Sequence, residues 1–256
     1  MGTFVAIDAE AASDTVAQQG VEAAFAAILA VQQLMHPTRG IDLAALAVCV
    51  PGAPLRVHRW TWETLDLCRQ LHQASLGAFD PCLAEVPGRM ADLELRPGDT
   101  LMAHAPMRVD LGGIAKGYAV DRAVDALRAA GCIGGLVNAG GDLAAFGRRS
   151  HRIVCCGPDT PGVLLELRDA ALATSDARAD AGAQTMRPAE HRGYYHGGDR
   201  RLPASGRVTV MAPRAALADG LTKCLLSAER ELGAGLLGAF GAKQIRYPQP
   251  SAQISA

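Results

Sequence analysis

Residues 109 to 121 read V-D-L-G-G-I-A-K-G-Y-A-V-D: a short β-prone run, a glycine pair, and then the opening of a helix expected to begin near Gly117. Gly112 and Gly113 let backbone amides approach an anion closely. Lys116 adds a point positive charge, and the first amides of the helix point back at the same place. Together these features describe a phosphate cradle. It is not a Walker A loop, because Lys116 is followed by Gly117 rather than Ser or Thr, and no G-x-G-x-x-G follows a strand. From spacing alone, a structural turn with a solvated lysine accounts for the segment equally well.

The rest of the chain sets the fold class. Residues 3 to 9 are β-prone. Val21, Phe25, Ile28, Leu29 and Met35 then recur at helical spacing after the cap candidates Ser13 and Asp14, until His36-Pro37 ends the helix. A loop is expected next, followed by a helix capped by Thr61 that carries Trp62, Leu65, Cys68 and Leu71 and ends near Gly77. Core packing is the simpler reading of Trp60 and Trp62. Further strands are expected at 135–137, 143–146, 152–156, 163–167, 207–211 and 244–247, with helices at 217–225 and 228–240. This order lacks a strict βαβ rhythm, so the expected fold class is α+β. Residues 176 to 206, rich in Arg, Asp, Gly and His, read as a long surface loop.

Composition narrows the function. The 256 residues are 49% hydrophobic and 20% charged, which suits a globular protein with a sizeable core, and the net charge of −1 excludes a dominant basic face for nucleic acid or anionic lipid. The seven cysteines show no C-x-x-C pair and no zinc-like spacing, so reduced thiols are expected, and Cys155-Cys156 reads as strand packing. The N-terminus, M-G-T-F-V-A-I-D, has no signal-peptide pattern, and residues 21 to 35 are too short and too polar on one side to span a bilayer. The sequence as it stands therefore implies a cytoplasmic protein without a membrane span.

Five segments in order carry a family resemblance. Asp110-Leu-Gly-Gly-Ile-Ala-Lys-Gly-Tyr-Ala-Val-Asp121 resembles the most characteristic motif of the FAD:protein FMN transferases, or ApbE-type flavin transferases. Met1-Gly2-Thr3 resembles that family's opening, Ala78-Phe79-Asp80-Pro81 its flavin loop, Asn138-Ala139-Gly140-Gly141-Asp142 its N-x-G-G-D turn, and Leu217-Ala218-Asp219-Gly220 its metal loop. Each match is short, and their order over nearly the whole chain is the stronger signal. The resemblance implies a T-fold-like, two-lobed α+β domain spanning residues 1–256 with the flavin site between the lobes. It implies transfer of FMN from FAD to a Thr or Ser hydroxyl of an acceptor protein carrying a D-G-x-T/S motif, with release of AMP and assistance from Mg2+. By the same resemblance Met1, Ala78, Phe79, Asp80, Asp110, Lys116, Asn138, Gly140 and Gly141 hold FAD. Gly113, Asp219 and Thr222 would hold the metal, and Lys116 and Asp219 would act in catalysis. Many relatives are exported lipoproteins.

The sequence departs from the family at two places. Where the family has a threonine ligand four residues after the metal-loop aspartate, this chain has Lys223, with Thr222 one position earlier. A protonated lysine cannot ligate a cation. Three outcomes are compatible with this: Thr222 takes over, the Lys223 ammonium stands in for part of the ion's charge, or the metal site is lost. The family's H-I-I-D-P-R-T-G segment appears only as His196-Gly197-Gly198-Asp199-Arg200-Arg201-Leu202-Pro203, and the tyrosine of its early S-x-Y motif is Met35. The departures leave room for a paralogue that holds FAD without transferring FMN. Asp199 and Asp219 are the carboxylates available as general base. His191 and His196 read as solvated. If every glycine turn is structural, the chain is an interaction domain with no nucleotide.

Overall fold

The structure, a computed structural model, describes residues 3–157, 160–176 and 206–247. In chain order its elements are β1 (Val5–Glu10), α1 (Asp14–Met35), α2 (Ile41–Val48), β2 (Pro54–Arg56), α3 (Arg59–Ala74), β3 (Leu93–Arg96), β4 (Thr100–Ala103) and α4 (Ala115–Ala129). There follow β5 (Gly134–Ala139), β6 (Asp142–Phe146), β7 (His151–Gly157), β8 (Thr160–Leu167), β9 (Ala170–Asp176), β10 (Arg207–Ala212), α5 (Ala215–Ser227), α6 (Arg230–Ala239) and β11 (Lys243–Ile245). A six-stranded sheet runs β1-β5-β6-β9-β10-β11 with every neighbouring pair antiparallel. A three-stranded sheet β2-β4-β3 and a β7–β8 hairpin stand apart from it. This is the expected α+β class.

Period-2 alternation in the two central strands sorts their side chains onto two covered faces. Ala144 and Phe146 of β6 and Ala171 and Ala173 of β9 join the main core beneath α1, α4 and α5. Leu143, Ala145 and Leu172 point the other way, packing with Cys155 and Leu167 of the β7–β8 hairpin. The helix-side alanines, Ala144, Ala171 and Ala173, are small because helices lie close above them. By the same alternation Asp142 and Ser175 fall on the helix side.

The helices differ from expectation in instructive ways. Ser13 caps α1 as expected, accepting from the Val16 amide at 3.3 Å, and the helix ends at Met35 before His36. Its buried stripe is Gly20, Ala24, Ile28, Val31 and Met35, whereas Phe25 and Leu29 are exposed. Close approach decides this: a Cβ at Gly20 would lie 2.6 Å from the Cys132 sulfur. The expected loop after Pro37 contains α2, too short to show periodicity. Thr61 is not a cap, since α3 starts at Arg59 with the His58 ring accepting from the Trp60 amide at 3.1 Å. Thr61 instead donates to Asp42 at 2.5 Å and ties α3 to α2. Leu65, Cys68 and Leu71 are buried, and both tryptophans pack against the core. Cys155 is buried in the hairpin and Cys156 is exposed.

The crossing of α4 and α5 places the site. Asp121 of α4 accepts from the Ala215 and Ala216 amides, at 2.8 and 3.0 Å, in the first turn of α5. Asp219 of α5 accepts from the Gly117 amide, at 3.1 Å, in the first turn of α4. Each helix thereby satisfies amides the other leaves without an intrahelical partner. The backbones must nearly touch for this, and a Cβ at Gly117 would sit 2.2 Å from the Ala215 carbonyl oxygen. Gly117→Ala is therefore expected to cost about 2–3 kcal/mol or more in urea unfolding. Gly235→Ala, in an exposed stretch of α6 where an added Cβ meets nothing within 4 Å, is expected to add about 0.5–1 kcal/mol.

Candidate functional site

The glycine turn is anchored from two sides. Upstream, the Asp110 amide donates to the Pro81 carbonyl at 2.9 Å, the Leu83 amide donates to the Arg108 carbonyl at 2.8 Å, and Cys82 bridges Val109. Within the turn, the Asp110 carboxylate accepts from the Gly112 amide at 2.7 Å, an Asx-type contact that orders the backbone ahead of α4. The 78–81 loop is folded by its own groups. Phe79 donates its amide to the Ser75 hydroxyl at 3.0 Å, and Asp80 accepts from the Cys82 amide at 2.9 Å. Phe79 is 1% exposed and belongs to the core.

The β5–β6 connection is the two-residue loop Gly140-Gly141, both at positive φ, the form in which a tight hairpin turn matches strand twist. Asn138 accepts from the Gly141 amide at 2.9 Å. Thr3 lies directly over Gly140, so close that a Cβ there would be 2.1 Å from the Thr3 hydroxyl. The turn thus brings Thr3 close to the first residue of β6, Asp142.

Four charged side chains meet beneath this turn. The Lys116 ammonium donates to Asp142, and the Lys223 ammonium donates to Asp219. Asp142, Asp219 and Lys223 are all buried, while Lys116 remains partly exposed and links the group to solvent. Burial pushes the Asp142 carboxyl up to about 6, the neighbouring Asp219 charge pushes the same way, and the two ammoniums pull it back. Thr222 donates its hydroxyl to the Asp219 carbonyl at 2.6 Å and meets the Ser175 hydroxyl of β9 at 2.7 Å. Two residues further along α4, Tyr118 donates to Glu63 at 2.5 Å, and burial together with that bond pushes its phenol well above the ordinary range.

The structure thus gathers most of the sequence candidates. Asp110 and Gly113 lie in the turn and Lys116 in the α4 turn that follows it, Ala78 to Asp80 immediately precede Pro81, whose carbonyl holds the Asp110 amide, Asn138, Gly140 and Gly141 form the hairpin, and Asp219 and Thr222 lie on α5. Met1, His191, His196 and Asp199 lie outside the described residues, as do 177–205 of the expected long loop and the H-x-x-D segment. Sequence reasoning left out Asp142 and Ser175. Asp142 closes the N-x-G-G-D motif, and that was the signal for it. Ser175 carried none. α4 begins two residues earlier than expected, and its Gly117 amide is occupied by Asp219 rather than left for an anion. A groove of about 770 Å³ between α6 and β11 holds none of these residues.

Among the described residues no group of three or more His, Cys, Asp and Glu side chains is placed to hold a metal ion, and no helix is long and apolar enough to cross a membrane. Around Asp219 one carboxylate oxygen faces the Lys223 ammonium and the other the Gly117 amide. The Thr222 hydroxyl, expected as a ligand, donates to the Asp219 carbonyl, so its oxygen is the acceptor for the Ser175 hydroxyl. These residues do not fit a divalent cation as they stand.

An antiparallel sheet with helices crossing over one face, and a glycine turn aimed at a buried charge cluster, define an α+β protein with a polar site at a helix crossing. A sequence model of the ApbE family matches residues 85–243, and the chain belongs to that family. It is 26% identical, over 84% of its own length and 72% of the relative's, to an FAD:protein FMN transferase of Treponema pallidum (strain Nichols). Its fold is similar to that of the apo flavinyl transferase ApbE of Pseudomonas stutzeri, with a TM-score of 0.77 and 24% identity, covering 95% of this chain and 87% of that one. The flavin transferase ApbE of Vibrio cholerae gives 0.74 and 21%, covering 95% and 89%. The ApbE protein of Thermotoga maritima gives 0.73 and 20%, covering 95% and 90%. The T-fold-like architecture expected from the motifs is therefore the ApbE architecture.

The Asp142 carboxyl yields a pH signature. An aspartate in an unfolded chain titrates near ~3.9, and in the folded protein this one titrates near about 6. Between those values the folded state keeps a proton that the unfolded state releases. The group's contribution to stability is thus full below about pH 4, declines as pH rises toward about 6, and is flat above. Urea midpoints measured across this range should show that decline in the wild type relative to Asp142→Asn, which has no carboxyl to titrate there.

Proposed function

We propose that this protein is an FAD:protein FMN transferase that moves the FMN phosphoryl group from FAD to a Thr or Ser hydroxyl of an acceptor protein. The observation that carries this reading is the convergence of the separated motif segments. Thr3 lies on Gly140, the 78–82 loop is bonded to 108–110, Lys116 pairs with Asp142, and Gly117 is bonded to Asp219. Family membership and the name of the Treponema pallidum relative support the same activity.

In this reading the whole chain, 1–256, acts as one transferase domain with the flavin site between its two lobes. Asp110, the 78–80 loop and the Asn138–Gly141 hairpin shape the FAD site, and Met1 is assigned to FAD binding by the family motif alone. Lys116, the partly exposed member of the cluster, neutralises charge on the diphosphate. The acceptor oxygen forms a bond to the FMN phosphorus while the bond from that phosphorus to the bridging oxygen breaks. AMP leaves with the bridging oxygen, and the hydroxyl proton passes to a base. Asp142 and Asp219 already hold ammonium partners, so anion binding competes with Asp142 for Lys116. No step is assigned to magnesium, because the Gly113, Asp219 and Thr222 set does not fit it here. The acceptor is expected to carry a D-G-x-T/S motif.

The two lysine–aspartate pairs also favour a second reading, a flavin-holding paralogue that performs no transfer, because both ammoniums are partnered before any ligand arrives. Incubating the protein with FAD and an acceptor bearing D-G-x-T, then weighing the acceptor intact, separates the two. One FMN phosphoryl added per acceptor is the expected result, and FAD binding without it would establish the second reading. Lys116→Ala should weaken FAD binding by about tenfold or more, the worth of one charge-assisted contact, as read by quenching of flavin fluorescence. Unchanged binding would remove Lys116 from the site.

A further inference from the structure

We propose that Lys223 is a built-in cation at the FAD site, replacing a divalent metal ion, so that this protein binds the dinucleotide without any metal. The inference rests on the FAD reading above and concerns the same site.

Three observations carry it. First, the Lys223 ammonium is on Asp219, with Lys223 3% exposed and Asp219 fully buried. The two residues are four apart on α5, so they share one face of the helix and lie within reach of each other. Second, the remaining oxygens around Asp219 are committed. The Gly117 amide holds the second carboxylate oxygen at 3.1 Å, and the Thr222 oxygen, whose own hydrogen is on the Asp219 carbonyl at 2.6 Å, accepts from the Ser175 hydroxyl at 2.7 Å. Third, the charges already balance, with Asp142 and Asp219 opposed by Lys116 and Lys223.

A dication entering this site would face a buried ammonium already seated on Asp219. Magnesium also gives up its water reluctantly and demands several oxygens in octahedral array. A lysine provides a compact positive charge with three donors and needs no coordination shell. Lys223 therefore supplies locally what an ion would supply, and it supplies one positive charge instead of two. The charge count has a consequence for the ligand: the four side chains sum to zero before binding, so a diphosphate gains its attraction by drawing Lys116 away from Asp142.

The test is FAD titration by flavin fluorescence quenching on the full chain, with excess EDTA and, separately, with millimolar MgCl2. The expected result is one Kd under both conditions, to within about twofold. Binding that requires magnesium overturns the inference and leaves the transferase reading standing. Absence of FAD binding under both conditions overturns the transferase reading itself, and this inference with it. Lys223→Thr should convert the site, gaining about tenfold or more in FAD affinity when magnesium is added, and a variant indifferent to the ion overturns the inference. Should that variant not fold by circular dichroism, Lys223→Met replaces it. About tenfold weaker FAD binding, still insensitive to EDTA, is expected of it, and undiminished binding overturns the proposal. Mn2+ gives an independent readout: its electron paramagnetic resonance signal should be unaffected by the wild-type protein, and a bound-ion spectrum overturns the proposal.

Discussion

Two aspartates exchanged between α4 and α5 hold this molecule's site in place. Asp121 reaches the opening amides of α5, and Asp219 reaches an opening amide of α4. Helix starts are electropositive and carry unsatisfied donors, so a carboxylate there is stabilised by both the dipole and the hydrogen bond. Because the exchange runs both ways, neither helix can slide without uncapping the other. Burial pushes the Asp121 carboxyl upward while Arg214 and the two amides draw it back, which shows how much of its charge the fold must accommodate.

The buried charges follow from that crossing. Asp219 is drawn into the interior by its capping role, and an unpaired buried carboxylate would be costly. Lys223, one turn further along the same helix, meets that need. Asp142 enters from the sheet because strand alternation turns it toward the helices, and Lys116, in the first turn of α4, meets it. The result is a low-dielectric cluster whose members interact strongly and reach water through one side chain.

Much of this was legible in the residues. The glycine pair with its lysine marked the turn, the spacing after Ser13 marked α1, and Asn138 with two glycines marked the hairpin. What escaped was set by tertiary contact. β9 has the sequence A-A-L-A-T-S-D, where helix proximity selects small side chains over the β-branched residues that announce a strand. Phe25 and Leu29 look like core on a helical wheel, yet the face that packs is the one with Gly20 and Ala24, because only small residues admit α4. Lys223 was visible as a departure from the family pattern. Its meaning depended on Asp219 being buried and Thr222 being spent elsewhere, and neither is written in the local sequence.

The seating of Thr3 on Gly140 fixes the direction in which the polypeptide reaches the sheet. β1 pairs with β5 from Val5 onward, opposite Ala139, so Thr3 stands at the same rim of the sheet where Asp142 begins β6. Bulk added at Thr3 therefore occupies space beside the hairpin. A larger side chain there would crowd the rim from which Asp142 runs toward the polar cluster, so the size of one small hydroxyl residue sets how open that edge of the sheet remains.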